Sequence, residues 1–153
     1  MRVLAVILAR GGSKGIKGKN ILEIGGVPLI GRTIRACLAC REISDVIVST
    51  DDTEIARIAS EYGSLVVDRP PEYATDSSSS ESALLQACEA WKATAGHMYD
   101  LLMLVQNTTP FHSPSDMTAV IEAMANGKCN SCITVAETWR YHWTECGDGW
   151  EMP

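Results

Sequence analysis

The sequence predicts an α/β fold around a largely parallel sheet, because short β-type apolar runs alternate with longer stretches of helical period along its 153 residues. The first apolar run, residues 2–9, is rich in Val, Ile and Leu and does not alternate with polar residues, as expected of a central strand covered on both faces. A loop rich in Gly and Lys follows at once, at the carboxyl end of that strand, where open α/β sheets bind ligands. Hydrophobic residues make up 46% of the chain, enough to bury one sizeable core, so residues 1–153 are expected to form one compact domain.

The remaining elements follow in order. After Pro28, the residues Ile30, Ile34, Cys37 and Leu38 recur at helical spacing and predict a helix over 29–41. Residues 45–50 read as the second strand. Thr50 or Asp51 caps the next helix, whose Ile55, Ala56, Ile58 and Ala59 share a face, and Gly63 ends it. Residues 64–68 make a third strand. The polar segment 69–80, punctuated by Pro70 and Pro71, is a long loop of the kind that carries function. Ser78 with Glu81 fits a capping box for a helix running to about Ala95, with Leu84, Leu85, Cys88 and Trp91 inward. Residues 100–106 read as a fourth, buried strand. Ser113, Pro114 and Asp116 begin a helix that ends near Asn126-Gly127. A fifth strand over 131–137 leads into the aromatic stretch 139–150, which Gly147-Asp148-Gly149 interrupts in the manner of a hairpin turn.

The net charge of -6, from 19 acidic and 13 basic residues mixed along the chain, offers no basic face for nucleic acid. The longest apolar run, residues 3–9, is far short of the roughly 20 residues of a membrane-spanning helix. Arg10 follows it directly, where a signal peptide would need small residues. A cytoplasmic protein without membrane contact is therefore expected. Cys37/Cys40 and Cys129/Cys132 have the spacing of zinc ligands. The first pair, however, lies in an amphipathic helical pattern and the second leads into a strand pattern. Free thiols serving as small apolar filling in a reducing compartment explain both.

The chemistry concentrates in Leu8-Ala9-Arg10-Gly11-Gly12-Ser13-Lys14-Gly15-Ile16-Lys17-Gly18-Lys19-Asn20. Glycines let backbone N–H groups approach phosphate oxygens, and Arg10, Lys14 and Lys19 supply charge for a triphosphate. The Walker pattern fails, because Ser13 stands where it needs glycine and Asn20 where it needs Ser or Thr. The dinucleotide fingerprint fails too, with Ser13 and Lys14 at the places its second glycine requires.

This loop resembles the opening motif of the acylneuraminate cytidylyltransferases, the CMP-sialic acid synthetases. The resemblance continues through Val48-Ser49-Thr50-Asp51-Asp52, the segment Arg69-Pro70-Pro71-Glu72-Tyr73-Ala74-Thr75-Asp76, the serines before Glu81, and Val105-Gln106-Asn107-Thr108-Thr109-Pro110. It implies a three-layer αβα, Rossmann-like nucleotide-diphospho-sugar transferase fold. It also implies a nucleotidyltransferase in which the anomeric hydroxyl of a nonulosonic acid attacks the α-phosphorus of CTP and expels pyrophosphate. Arg10 and Lys14 would hold the triphosphate, with the backbone of Ala9, Gly11, Gly12 and Ser13 around it. Lys19 and Asn20 would lie by the reacting phosphate and ribose, Arg69 and Ser80 would contact the nucleotide, and Gln106 and Thr108 would face the sugar. A buried glutamine at a strand end favours a ligand, and for Arg69 the alternative is a surface ion pair with Glu72 or Asp76.

Two departures from the family pattern stand out. The family commonly has Pro-Thr-Ser-Pro-Leu-Arg where this chain has Asn107-Thr108-Thr109-Pro110-Phe111-His112, which leaves the sugar open among sialic, legionaminic, pseudaminic and deoxyoctulosonic acids. A guanylyltransferase of the molybdenum-cofactor type is a more distant reading. The family's magnesium-binding aspartates and most of its dimer contacts lie beyond position 153, so the chain is expected to lack the C-terminal part, with Mg²⁺ implied and its ligands unassigned. Asp51-Asp52 are explained better by capping than by a cation. The alternatives are a non-catalytic nucleotide-binding or assembly module, and a partner chain that supplies the acids in trans, an association favoured by apolar edges left by the early stop; a homodimer is among the expected partners.

Overall fold

The structure, a computed structural model, describes residues 1–13, 15–127, 129–137 and 143–151. In chain order the elements are β1 (Val3–Leu8), a 3-10 turn (Lys19–Ile21), β2 (Glu23–Ile24), β3 (Val27–Pro28), α1 (Leu29–Ala39) and β4 (Asp45–Thr50). There follow α2 (Thr53–Glu61), β5 (Leu65–Asp68), a 3-10 turn (Pro71–Tyr73), α3 (Ser80–Ala95), β6 (Leu101–Leu104), α4 (Pro114–Ala125), β7 (Thr144–Cys146) and β8 (Gly149–Glu151).

Four strands form one parallel sheet in the order β5-β4-β1-β6, with Leu4 opposite Asp45, Ile47 opposite Leu65 and Val3 opposite Leu101. The unbroken apolar run of β1 has a direct physical reason. Val3, Ala5 and Ile7 pack with Ile34 of α1, Ile55 of α2 and Ile121 of α4 on one face. Leu4 and Val6 pack with Ala87 of α3 on the other face, flanked by the half-buried Leu84, Cys88 and Trp91. Helices thus cover both faces, and the fold is the three-layer αβα arrangement expected. The chain runs outward from β1 through β4 to β5, and then crosses by α3 to place β6 on the opposite side of β1. The strand order reverses at β1, and at such a reversal the loops leaving neighbouring strands part and open a crevice at their carboxyl ends.

Several expectations need correction. The cap of α2 is Asp52, not Thr50 or Asp51, and the cap of α3 is Ser79, whose hydroxyl accepts from the Ser82 amide, so the Ser78/Glu81 box does not form. In both cases the side chain one residue later is the one facing the free amides. Leu85 is 61% exposed, and α3 buries Ala83 and Ala87 in its place. Leu38 likewise points outward from α1. The fourth strand is shorter than expected and only half covered. Leu102 and Leu104 sit in register with Leu4 and Val6, on the α3 side, where α3 covers β1 and leaves both leucines exposed. Asp100 lies outside the strand, where its carboxylate accepts from the Arg2 amide at 2.7 Å. Residues 131–137 form no strand, and Ile133 and Val135 stand 80% and 82% exposed. A β-branched run becomes a strand only where an edge pairs with it, and here none does. The hairpin turn is present between β7 and β8, while residues 139–142 of the aromatic stretch lie outside the described residues.

Cys37 and Cys40 are buried by α1, whereas Cys129, Cys132 and Cys146 are exposed. Burial pushes the Cys37 thiol up from 9.0 to about 12, with Cys40 beside it adding to the shift. A raised thiol pKa favours the protonated, folded form. Its stabilisation is complete below the ordinary thiol value near 9.0 and is lost as pH climbs toward about 12. At about pH 8, a brief pulse of iodoacetamide is expected to label the three exposed cysteines and to reach Cys37 only after unfolding, as read by mass spectrometry. Labelling of Cys37 at the rate of the exposed thiols would contradict this placement.

Candidate active site

The site grows from the end of β1. Ala9 is fully buried and extends the pairing by one residue, its amide donating to the Ser49 carbonyl at 3.0 Å. Arg10 then leaves the sheet at the reversal point. The Gly11 amide donates to Asp51 Oδ1 at 2.9 Å, and the Ser13 amide turns back to the Gly11 carbonyl at 2.9 Å. Gly12, exposed between them, has no hydrogen bond among the described residues. Gly11 has to be glycine because a Cβ there would come within 2.7 Å of Asp52 Oδ2. The adjacent acids divide their work. Asp51 braces the loop, while Asp52 Oδ1 caps α2 by accepting from the Glu54 and Ile55 amides at 2.9 and 3.0 Å.

Gly18, at φ 63°, turns the chain into the 3-10 turn that carries Lys19, half-buried, and Asn20, 5% exposed. Asn20 Nδ2 donates to the Arg10 carbonyl at 2.8 Å, and Asn20 Oδ1 accepts from Asn107 Nδ2 at 2.8 Å. Lys14 lies outside the described residues.

Arg69 does not form the surface ion pair considered above. It is 5% exposed, and its guanidinium donates from Nε to Ser49 Oγ at 3.0 Å and from one terminal nitrogen to the Ser49 carbonyl at 2.6 Å. Burial holds its pKa below the usual arginine value; the Asp51 carboxylate opposes that in part, and the nearby charge of Arg10 adds a smaller downward effect. Arg10 is the residue that pairs with the long loop. It meets Asp76 Oδ1 at 2.9 Å and donates to the Ala74 carbonyl at 3.3 Å. The loop over 69–79 is thereby drawn across the end of β1. Ser80 is exposed at the first turn of α3.

On the other side of the crevice, Gln106 and Thr108 are exposed and Asn107 between them is 3% exposed. The expected buried glutamine is therefore not buried; the chain after β6 alternates, and the even positions face out. His112 Nε2 meets the Gln106 carbonyl at 2.8 Å. Beside it opens a cleft of about 440 Å³ lined by Val27, Arg32, Arg35, Phe111, His112 and Ser113, among others, with no carboxylate.

The residue-level reading missed Ser49, Asp51 as a brace, and Asn107. A polar residue ending an apolar strand, or standing between two polar positions at a strand end, was the available signal. Among the described residues, no group of three His, Cys, Asp or Glu side chains is placed to hold a metal ion, and Asp51 and Asp52 each commit an oxygen to backbone amides. Mg²⁺ therefore has no ligand set among them.

A family model for cytidylyltransferases matches residues 4–142. An N-acylneuraminate cytidylyltransferase A of Danio rerio is 37% identical over 147 residues, covering 96% of this chain and 33% of the relative. A CMP-N,N'-diacetyllegionaminic acid synthase of Legionella pneumophila is 37% identical over 123 residues, 80% of this chain and 53% of the relative. A solved CMP:2-keto-3-deoxy-manno-octonic acid synthetase complexed with CTP shares the fold, with a TM-score of 0.69 at 23% identity over 82% of this chain and 48% of that one. The chain spans a third of the length of the N-acylneuraminate relative. With the family match running from β1 to beyond α4, and taking in the glycine loop, both arginines and the β6 strand end, the chain belongs to the cytidylyltransferase family.

Proposed function

We propose that the chain is the nucleotide-binding part of an enzyme that transfers CMP from CTP to the anomeric hydroxyl of a sialic-acid-type nonulosonic acid. The observation that carries this reading is the convergence of Arg10 and Arg69 at the glycine loop, which sets two guanidiniums, balanced in the ligand-free chain by Asp76 and Asp51, beside the loop's backbone amides as a triphosphate requires. In the reaction the anomeric oxygen bonds to the α-phosphorus and the bond from that phosphorus to the bridging oxygen breaks. Pyrophosphate leaves with the electron pair, and the hydroxyl proton passes to solvent. Catalysis of this kind rests on positioning and charge stabilisation.

Arg10, Lys14 and Lys19 supply the charge, and Ala9, Gly11, Gly12, Ser13 and Asn20 shape the loop. Arg69 and Ser80 serve the nucleotide, and Gln106 and Thr108 serve the acceptor. The cleft beside Gln106, with Arg32, Arg35 and His112 and no acid, suits a sugar acid. Mg²⁺ belongs to the same reading, with ligands from outside the described residues. So do a cytoplasmic setting and a homodimer joined through exposed apolar edges such as Leu102 of β6. No helix among the described residues is long and apolar enough to cross a membrane.

Titration calorimetry with CTP, GTP, ATP and UTP is expected to show uptake of CTP in preference to the others, and CTP to raise the melting temperature. Pyrophosphate release with N-acetylneuraminate and Mg²⁺, abolished by a chelator, tests transfer itself. Absence of CTP uptake in the presence of Mg²⁺ overturns the proposal.

A further inference from the structure

The two halves of the crevice are joined by one buried polar chain. Asn107, 3% exposed, gives its amide N–H to Asn20 Oδ1, and Asn20, 5% exposed, gives its own N–H to the Arg10 carbonyl, each at 2.8 Å. The chain spans the reversal point of the sheet, from the loop after β6, which carries Gln106 and Thr108, to the glycine loop after β1. Every donor points the same way, from Asn107 through Asn20 to Arg10. The middle amide has both its oxygen and its nitrogen engaged, so its orientation is set from both ends. Asn107 is also one of the positions at which this chain departs from the family pattern noted above.

We infer that Asn107 is a positioning residue, acting through Asn20 on the backbone of Arg10 to hold the nucleotide loop in register with the strand end on the acceptor side. This rests on the nucleotide reading of the glycine loop. A buried amide pair is held firmly because an unpaired member would lose water without compensation, so the pair transmits constraint between segments that are otherwise 87 residues apart in sequence. The direction of donation matters as much as the contact. An acid at position 107 cannot donate to Asn20 Oδ1. It would turn the Asn20 amide over, and Asn20 Oδ1 would then face the Arg10 carbonyl, acceptor against acceptor.

The test is a cycle of Asn20→Ala, Asn107→Ala and the double variant, with Asn107→Asp alongside. Two measurements are made on the whole chain: CTP affinity by calorimetry, and hydrogen exchange of the amides of Gly11 to Ser13 without nucleotide. Each single alanine variant is expected to weaken CTP binding about tenfold and to speed exchange in that loop by a similar factor. The double variant should be no worse than either single one, since all three break the same chain. Asn107→Asp is expected to fall below Asn107→Ala in both measurements. Additive losses, unchanged loop exchange in Asn107→Ala, or exchange raised evenly over the whole sheet overturn the inference. If the unaltered chain takes up no CTP, the functional proposal fails, and the exchange cycle still decides whether the bridge positions the loop.

Discussion

Arg69→Met is expected to weaken CTP binding by about a hundredfold or more while leaving the melting temperature within about 5 °C of the parent. The two effects separate because of where this cation sits. Its guanidinium is buried against Ser49 and its pKa is pulled down chiefly by that burial, which the attraction of Asp51, itself countered in part by Arg10, does not make good. In the ligand-free chain that burial opposes folding, and an apolar side chain of similar length removes the penalty. The loss on the other side is modest. The Ser49 carbonyl keeps its bond from the Ala9 amide, so the change removes the donor to the Ser49 hydroxyl, at about 1–2 kcal/mol, and the screened attraction of the exposed Asp51. A triphosphate, by contrast, loses a desolvated charge for which nothing else at that position substitutes, about 3 kcal/mol or more. Calorimetry and a thermal melt on one preparation decide the matter. A large drop in melting temperature with CTP affinity intact would assign Arg69 a structural role and remove it from the site.

Gly31→Ala reverses the usual sign of a glycine replacement within a helix. Alanine normally gains about 1 kcal/mol at such a position. Here the new Cβ would lie 2.5 Å from Tyr62 Cε1 and 2.7 Å from Cδ1 and Cζ. Tyr62 ends α2, with its amide bonded to the Ile58 carbonyl at 3.0 Å and its ring under the Arg35 guanidinium at 4.8 Å, so the ring cannot move without giving up packing. Overpacking of this kind costs about 1–3 kcal/mol and outweighs the helical gain once α1 and α2 must also part. A net loss of about 2 kcal/mol, or several degrees in the melting temperature, is expected. Adding Tyr62→Ala should recover most of what the first change loses relative to Tyr62→Ala alone. A melting temperature that rises in Gly31→Ala would show that α1 and α2 are packed more loosely than described.

Hydrophobic period made the sheet and its helices legible in the sequence. A strand buried on both faces, such as β1, and a helix with one apolar stripe, such as α2, state their surroundings in their own residues. Caps were misplaced by one residue because Asp51 and Asp52 are alike in chemistry and only the turn of the backbone chooses between them. The run at 131–137 has strand composition, but a strand needs a neighbour, which composition does not encode. At the site, the glycine loop and its cations were legible because phosphate chemistry requires them locally. The brace from Asp51 to Gly11, the seat of Arg69 on Ser49 and the link from Asn107 to Asn20 join residues 40, 20 and 87 apart, and no local pattern records such pairs.

The way β1 is paired has a bearing on how the protein comes into being. Its neighbours are β4, where Leu4 meets Asp45, and β6, where Val3 meets Leu101, so the most apolar strand is made before both of its partners and receives the second only after β4, β5 and α3 have followed. Until then the nascent chain carries Val-Leu-Ala-Val-Ile-Leu with one flank bare, a segment whose composition favours intermolecular stacking. Yield from the ribosome should therefore depend more on translation speed and chaperone supply before β6 emerges than on the equilibrium stability of the finished sheet.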